Sequence, residues 1–260
     1  MSLALLNSAL MEAARIGDMA SAIALLAQGA DIGGGGESKL DGSEYIPLVG
    51  AARHGHLLLT AFLLDRGADI HAAGDDALRE AAMNGELDVV ALLLDRGADL
   101  HAQQDHALRL AAVRGHAPTV AHLCDRGARP HAKNYEALRY AAWFGHTDIV
   151  AYLIERLNGR GVLSDDSFAL RHACSEGHVD VVALLLPYYN DTSTTLATLR
   201  DEATTYGHGG IAAIIDSYRQ MRQLARVNCG AATVPATGLR STDIATPIIP
   251  SQGPALCRRL

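Results

Sequence analysis

The chain holds 260 residues at a formal net charge of -7, with 49% apolar and only 5% aromatic residues. That length leaves room for one or two ordinary domains or one elongated array of repeats, and a core so poor in rings suits closely packed short helices better than a sandwich or barrel. The negative balance removes most of the case for a nucleic-acid partner, and four cysteines (Cys124, Cys174, Cys229, Cys257) without a C-x-x-C pair argue against a disulfide framework or a zinc site.

In chain order, the first 28 residues lack a basic leader and are interrupted by Glu12, Arg15 and Asp18, so a signal peptide is not expected. No apolar run reaches the roughly 18 residues of a membrane span; the expected location is the cytoplasm, of the producing cell or of a host. An Ala-Ala-x-x-Gly signature then sets the period. It stands at residues 51–55, 81–85, 111–115 and 141–145, with looser copies at 13–17, 173–177 and 203–207, so the closing glycines are spaced mostly by thirty residues. Seven units result. Each reads as two short antiparallel helices, the first exemplified by residues 76–84 and the second by residues 87–96. The first opens on Asp or Asn, expected to cap its own first-turn N–H groups, and closes at a glycine suited to a left-handed C-cap. The second carries Val89, Val90, Leu92, Leu93 and Leu94, with Asp88, Asp148 and Asp180 in first turns where negative charge suits the dipole. No unit can bury its own leucines, so the array must stack.

Two regions break the period. Residues 31–46 contain four consecutive glycines and are expected to form a flexible loop inside a repeat domain of residues 1–226. Residues 227–260 are rich in Pro, Ser and Thr and read as a disordered basic tail. Residues 219–260 carry a balance of +5 against -12 for residues 1–218, a contrast that would let the tail lie back on the repeats. Of the 22 basic residues only Lys39 and Lys133 are lysine, which fits either a GC-rich genome or work inside a ubiquitin-using host.

The run Gly85-Glu86-Leu87-Asp88-Val89-Val90-Ala91-Leu92-Leu93-Leu94-Asp95-Arg96-Gly97-Ala98-Asp99 resembles the ankyrin repeat core G-H-x-x-V-V-x-L-L-L-x-x-G-A-D. The resemblance extends to about residue 226 and implies an all-α, ankyrin-type solenoid of about seven helix-turn-helix repeats. Where that family has T-P-L-H, this chain has Asp76-Ala77-Leu78-Arg79, His106-Ala107-Leu108-Arg109, Glu136-Ala137-Leu138-Arg139 and Phe168-Ala169-Leu170-Arg171. The unit is also three residues shorter than usual, so the β-turn fingers should be truncated, as in similar arrays of large DNA viruses and some bacteria.

The resemblance implies a protein-interaction module, acting as a monomer, that presents a concave face to an unidentified partner protein. An inhibitor, immunity-type or host-directed effector that occludes a partner enzyme is an alternative. So is a metal-dependent protein using a ladder of His71, His101 and His131, but imidazoles about 10 Å apart cannot share a zinc bound at about 2.0–2.1 Å. His56, His116, His146, His178 and His208 follow the turn glycines and resemble the family's structural histidine. No G-x-S-x-G, H-E-x-x-H or P-loop lysine occurs, and Cys257 lacks the aliphatic neighbours of a prenylation site. The chain is read as a non-enzyme without cofactor or metal. In this family the residues between Ala-Ala and Gly point into the concave groove. Here the expected partner-binding set is Met83, Val113, Arg114, Tyr135, Tyr140, Trp143, Phe144 and Glu176, with the only tryptophan, Trp143, at its centre.

Overall fold

The computed structural model describes residues 2–33, 46–159, 164–189 and 193–230. Most of the glycine-rich segment and residues 231–260 of the tail lie outside the described residues, as does any docking of that tail. The described chain is helical, without strands. First helices of the seven pairs are α1 (Leu3–Ile16), α3 (Pro47–Arg53), α5 (Ala72–Asn84), α7 (Ala102–Arg114), α9 (Ala132–Trp143), α11 (Ser164–Ser175) and α13 (Ser193–Thr205). Their second helices are α2 (Met19–Ala27), α4 (Leu57–Asp65), α6 (Leu87–Asp95), α8 (Ala117–Asp125), α10 (Thr147–Arg156), α12 (Val179–Leu185) and α14 (Gly209–Gly230). The repeats form one compact unit, Met1–Gln220, and a second unit begins at Met221. α14 ends at Gly230, inside the segment the sequence assigns to the tail, because no proline intervenes before Pro235.

Packing follows the small residues. Through the middle of the array each first helix lies against the first helices on either side and against its own second helix. The paired alanines at 51–52, 81–82, 111–112 and 141–142 are all fully buried at 0% exposure, which permits that close approach. Leu63, Leu93, Leu123, Leu153 and Leu185 project from the second helices into the same layer and are likewise fully buried; each stabilises the stack by about 1.5–3 kcal/mol.

The truncated finger takes a specific form. Ala73, Gly74 and Asp75 are consecutive left-handed residues at φ 52°, 70° and 60°, and Gln103–Asp105 and Lys133–Tyr135 repeat the conformation. Left-handed geometry costs an ordinary residue roughly 1–2 kcal/mol, so something must hold these turns. In two of them it is a buried carboxylate that reaches the next repeat. Asp75 Oδ1 accepts from the Asp99 N–H at 2.7 Å, and Asp105 Oδ1 from the Arg129 N–H at 3.0 Å. Asp105 Oδ2 also receives Arg129 Nε at 2.8 Å. Asn7 makes the equivalent bond to the Asp31 N–H at 2.8 Å. Here the sequence expectation needs correction. The acidic residues heading the first helices are spent on contacts outside the first-turn N–H groups: Asp75 and Asp105 bind the following repeat, and Asp76 pairs with Arg79.

A second tie joins neighbouring pairs. His56, His116, His146, His178 and His208 donate Nε2–H to the backbone carbonyls of Arg15, Met83, Val113, Trp143 and Ser175, at 2.8–3.0 Å. Those carbonyls sit in the last turn of a first helix, where no intrahelical donor remains. Each ring lies over the glycine that closes that helix. At Gly115, φ is 82° and an added Cβ would stand 2.7 Å from His146 Cε1. Gly127, at φ 106°, has nothing within 4 Å of such a Cβ. Gly115→Val should therefore destabilise the protein by more than the roughly 1–3 kcal/mol of backbone strain alone, and by more than Gly127→Val. Equal losses in denaturant melts of the two variants would contradict the histidine contact.

Candidate interaction face

The first helices present one row of side chains per repeat. From the third repeat to the sixth the residue after the small-residue pair is partly buried and the next is exposed: Met83 then Asn84, Val113 then Arg114, Trp143 then Phe144, Ser175 then Glu176. Each of these four helices closes at a glycine covered by a histidine of the following pair. The clamp also acts on the row itself, because the carbonyls it binds belong to Met83, Val113, Trp143 and Ser175.

In the fifth pair the row becomes aromatic. Trp143 is stacked with Tyr140 at 5.7 Å between centroids and with Phe144 at 5.9 Å. Two residues of the following repeat, absent from the sequence-derived set, complete the cluster. His172 stacks on Trp143 at 4.4 Å, and Phe168 meets it edge-on at 5.6 Å. Phe144 remains 50% exposed. Burial, followed by the Arg171 charge, holds the His172 pKa below its ordinary value, so near pH 7 it stacks as a neutral ring. Arg139 places its guanidinium 4.5 Å above Phe168, a cation–π contact.

The other sequence-derived positions are dispersed. Met83 and Val113 continue the row on earlier repeats, and Arg114 and Glu176 are exposed on either side of Phe144 in repeat order. Tyr135 is different. It occupies the left-handed turn, at the position of Asp75 and Asp105, and packs against the hydrophobic core; among the described residues its ring joins none of the ring contacts of the cluster. A separate groove of about 470 Å³ opens at the other end of the row, over Ser8, Met11, Arg15, Arg53 and His54. Gly50 lines it, at the position where later repeats have Glu80, Leu110 and Tyr140. It is lined by mixed charges, including the Arg15–Glu12 pair.

The histidine ladder serves the loops. His71 Nδ1 lies 3.1 Å from Asp75 Oδ1 and His101 Nδ1 lies 2.8 Å from Asp105 Oδ1, while Tyr135 offers His131 no such carboxylate. Among the described residues no group of three or more His, Cys, Asp or Glu is placed to hold a metal ion. His106 has its pKa pushed down to about 4 by burial and by Arg109. Burial likewise pushes the Cys124 thiol up to about 11 and Cys174 to about 12. Neither forms an appreciable thiolate at neutral pH.

The sequence model of the ankyrin repeats (3 copies) matches at residues 10–104, 78–165 and 108–196. No curated protein matches the chain. Among the described residues no helix is long and apolar enough to cross a membrane. The raised thiol pKa values generate a direct expectation. At pH 8 an alkylating reagent should modify Cys124 and Cys174 only as fast as the repeats open, and rapidly in denaturant. Peptide mass spectrometry of the folded protein showing both alkylated within minutes would overturn their buried placement.

Proposed function

The chain belongs to the ankyrin repeat family, and on that premise we propose that it binds a partner protein across its first-helix face, with Trp143 and Phe144 at the centre of the contact. Ankyrin repeats are generally protein–protein interaction modules, and the family is typically non-catalytic. Fold alone names no partner; the residues of the row carry the reading further. The single observation that supports it most is Phe144, half exposed beside a partly buried tryptophan in a chain with only three phenylalanines and one tryptophan. Solvation disfavours such a patch without use, and Trp, Tyr and Arg dominate the energetics of measured interfaces.

Preorganisation favours the same place. Trp143 is stacked on three rings and its carbonyl is held by His178, so a partner would not have to order it. An immobilised side chain otherwise costs association about 0.5–1.5 kcal/mol. Tyr140, Phe168 and His172 support the ring from behind, while Met83 and Val113 extend the apolar row toward earlier repeats.

Trp143→Ala should weaken binding to a partner cross-linked from the native cell by about 2 kcal/mol or more. Its loss of four ring contacts, each worth about 0.5–1.5 kcal/mol, should cost the fold about 2–4 kcal/mol, measured by denaturant melts that also confirm the variant is folded under the binding conditions. Unchanged affinity in the alanine variant would place the contact elsewhere on the molecule.

A further inference from the structure

The charged border of the aromatic cluster differs from the rest of its helix row. Over the earlier repeats, first-helix arginines are neutralised within the fold. Arg53 Nε meets Glu80 Oε2 at 2.7 Å, Arg79 pairs with Asp76, and the buried Arg109 sets Nη1 2.6 Å from Glu136 Oε2. Around the cluster, Arg114 and Arg171 depart from that pattern. Phe168 stands in the column occupied by Asp76, His106 and Glu136, and Arg139 lies over its ring. Arg114, one repeat before Phe144 in the same register, is exposed, and so is Arg171, the neighbour of His172. Among the described residues no carboxylate lies within ion-pair distance of either. Lys133, in the left-handed turn of the Trp143 repeat, is exposed as well.

Among the residues whose side chains are described, most exposed acidic groups lie elsewhere. Asp88, Asp95, Asp125 and Asp148 are exposed on second helices, where Asp95 and Asp125 pair with Arg126 and Arg156. Of the described carboxylates near the cluster, Glu136 is engaged by Arg109, and Glu176, just past the end of the Phe168 helix, closes the basic stretch.

We infer that the Trp143 cluster recognises an acidic partner segment, in which an apolar or aromatic anchor sits on Trp143 and Phe144 and flanking carboxylates reach Arg114 and Arg171. The inference rests on the interaction-module reading and adds the chemistry of the partner. Guanidinium groups bind carboxylates through two parallel hydrogen bonds, and a lysine-flanked segment would meet Arg114, Lys133 and Arg171 with like charge, which suppresses wrong partners. The -12 balance of residues 1–218 opposes an acidic partner at long range. Screening over about 8 Å at physiological salt leaves the decision to the nearest groups, and among the described ones Arg114, Lys133 and Arg171 outnumber Glu176.

A display library of random twelve-residue peptides, selected on the full chain and then tested against Trp143→Ala, examines this directly. The expected winners depend on Trp143, carry an apolar or aromatic anchor beside Asp or Glu, and lose about tenfold or more in affinity to the double variant Arg114→Glu, Arg171→Glu. Binding to the native chain and to the double variant can be followed by the fluorescence of Trp143, the chain's only tryptophan, binding to Trp143→Ala by titration calorimetry, and a melt confirms that each variant folds. Winners that depend on Trp143 but are neutral or basic overturn the acidic-segment inference and leave the docking face standing. Winners indifferent to Trp143, or no enrichment at all, remove both.

Discussion

A pair of short helices cannot cover its own leucines, and this chain fixes five of its pairs to the one before by laying an imidazole over a bare glycine. The contact answers two needs at once. The last turn of a first helix leaves carbonyls without donors, and the histidine supplies an N–H to one of them. The glycine supplies the left-handed φ that ends the helix and, having no side chain, leaves room for the ring. Glu86 takes the histidine's position in the third repeat and lies over Gly55 in the same way. Because the carbonyl belongs to Met83, Val113, Trp143 or Ser175, the interaction that registers the repeats also orders the row a partner would touch.

Two further sets of contacts depend on that register. Inside the loops, carboxylates of Asp75 and Asp105 hold left-handed turns by reaching the backbone N–H of the next repeat, and these buried bonds are costly to leave unmade. On the second helices, Arg96, Arg126 and Arg156 each meet the aspartate one repeat earlier, at 2.7–3.1 Å. Those pairs are solvent-exposed and contribute little, about 0–1 kcal/mol apiece. Burial of alanine and leucine carries the stability; the polar contacts decide which residue faces which.

Much of this was legible in the sequence, because glycine, alanine pairs and leucines report directly on turns, close approach and core. The sequence indicated where pairs begin and end, and the row holding Trp143 and Phe144. It concealed the partners of Trp143 supplied by the next repeat. Phe168 and His172 lie outside the Ala-Ala-x-x-Gly signature; the available signal was Phe168 in a column otherwise filled by Asp76, His106 and Glu136. Tyr135 misled in the opposite way. It is near Tyr140 in sequence, yet it occupies a left-handed turn with its ring against the core. Nothing marks that turn locally, since Gln103 and Gln104 have no preference for left-handed φ and the turn is held by Asp105, which bonds Arg129, 24 residues further on.

The central claim is that the clamp positions the aromatic row, and Trp143 as the only tryptophan makes it measurable. Acrylamide quenching of its fluorescence should be compared between the native chain and His178→Ala, with far-UV dichroism checking that helix content persists. The account predicts faster quenching and lower fluorescence anisotropy in the variant while the helical signal stays close to native. Identical quenching and anisotropy in a folded His178→Ala protein would contradict it, and would mean that ring stacking alone sets the row.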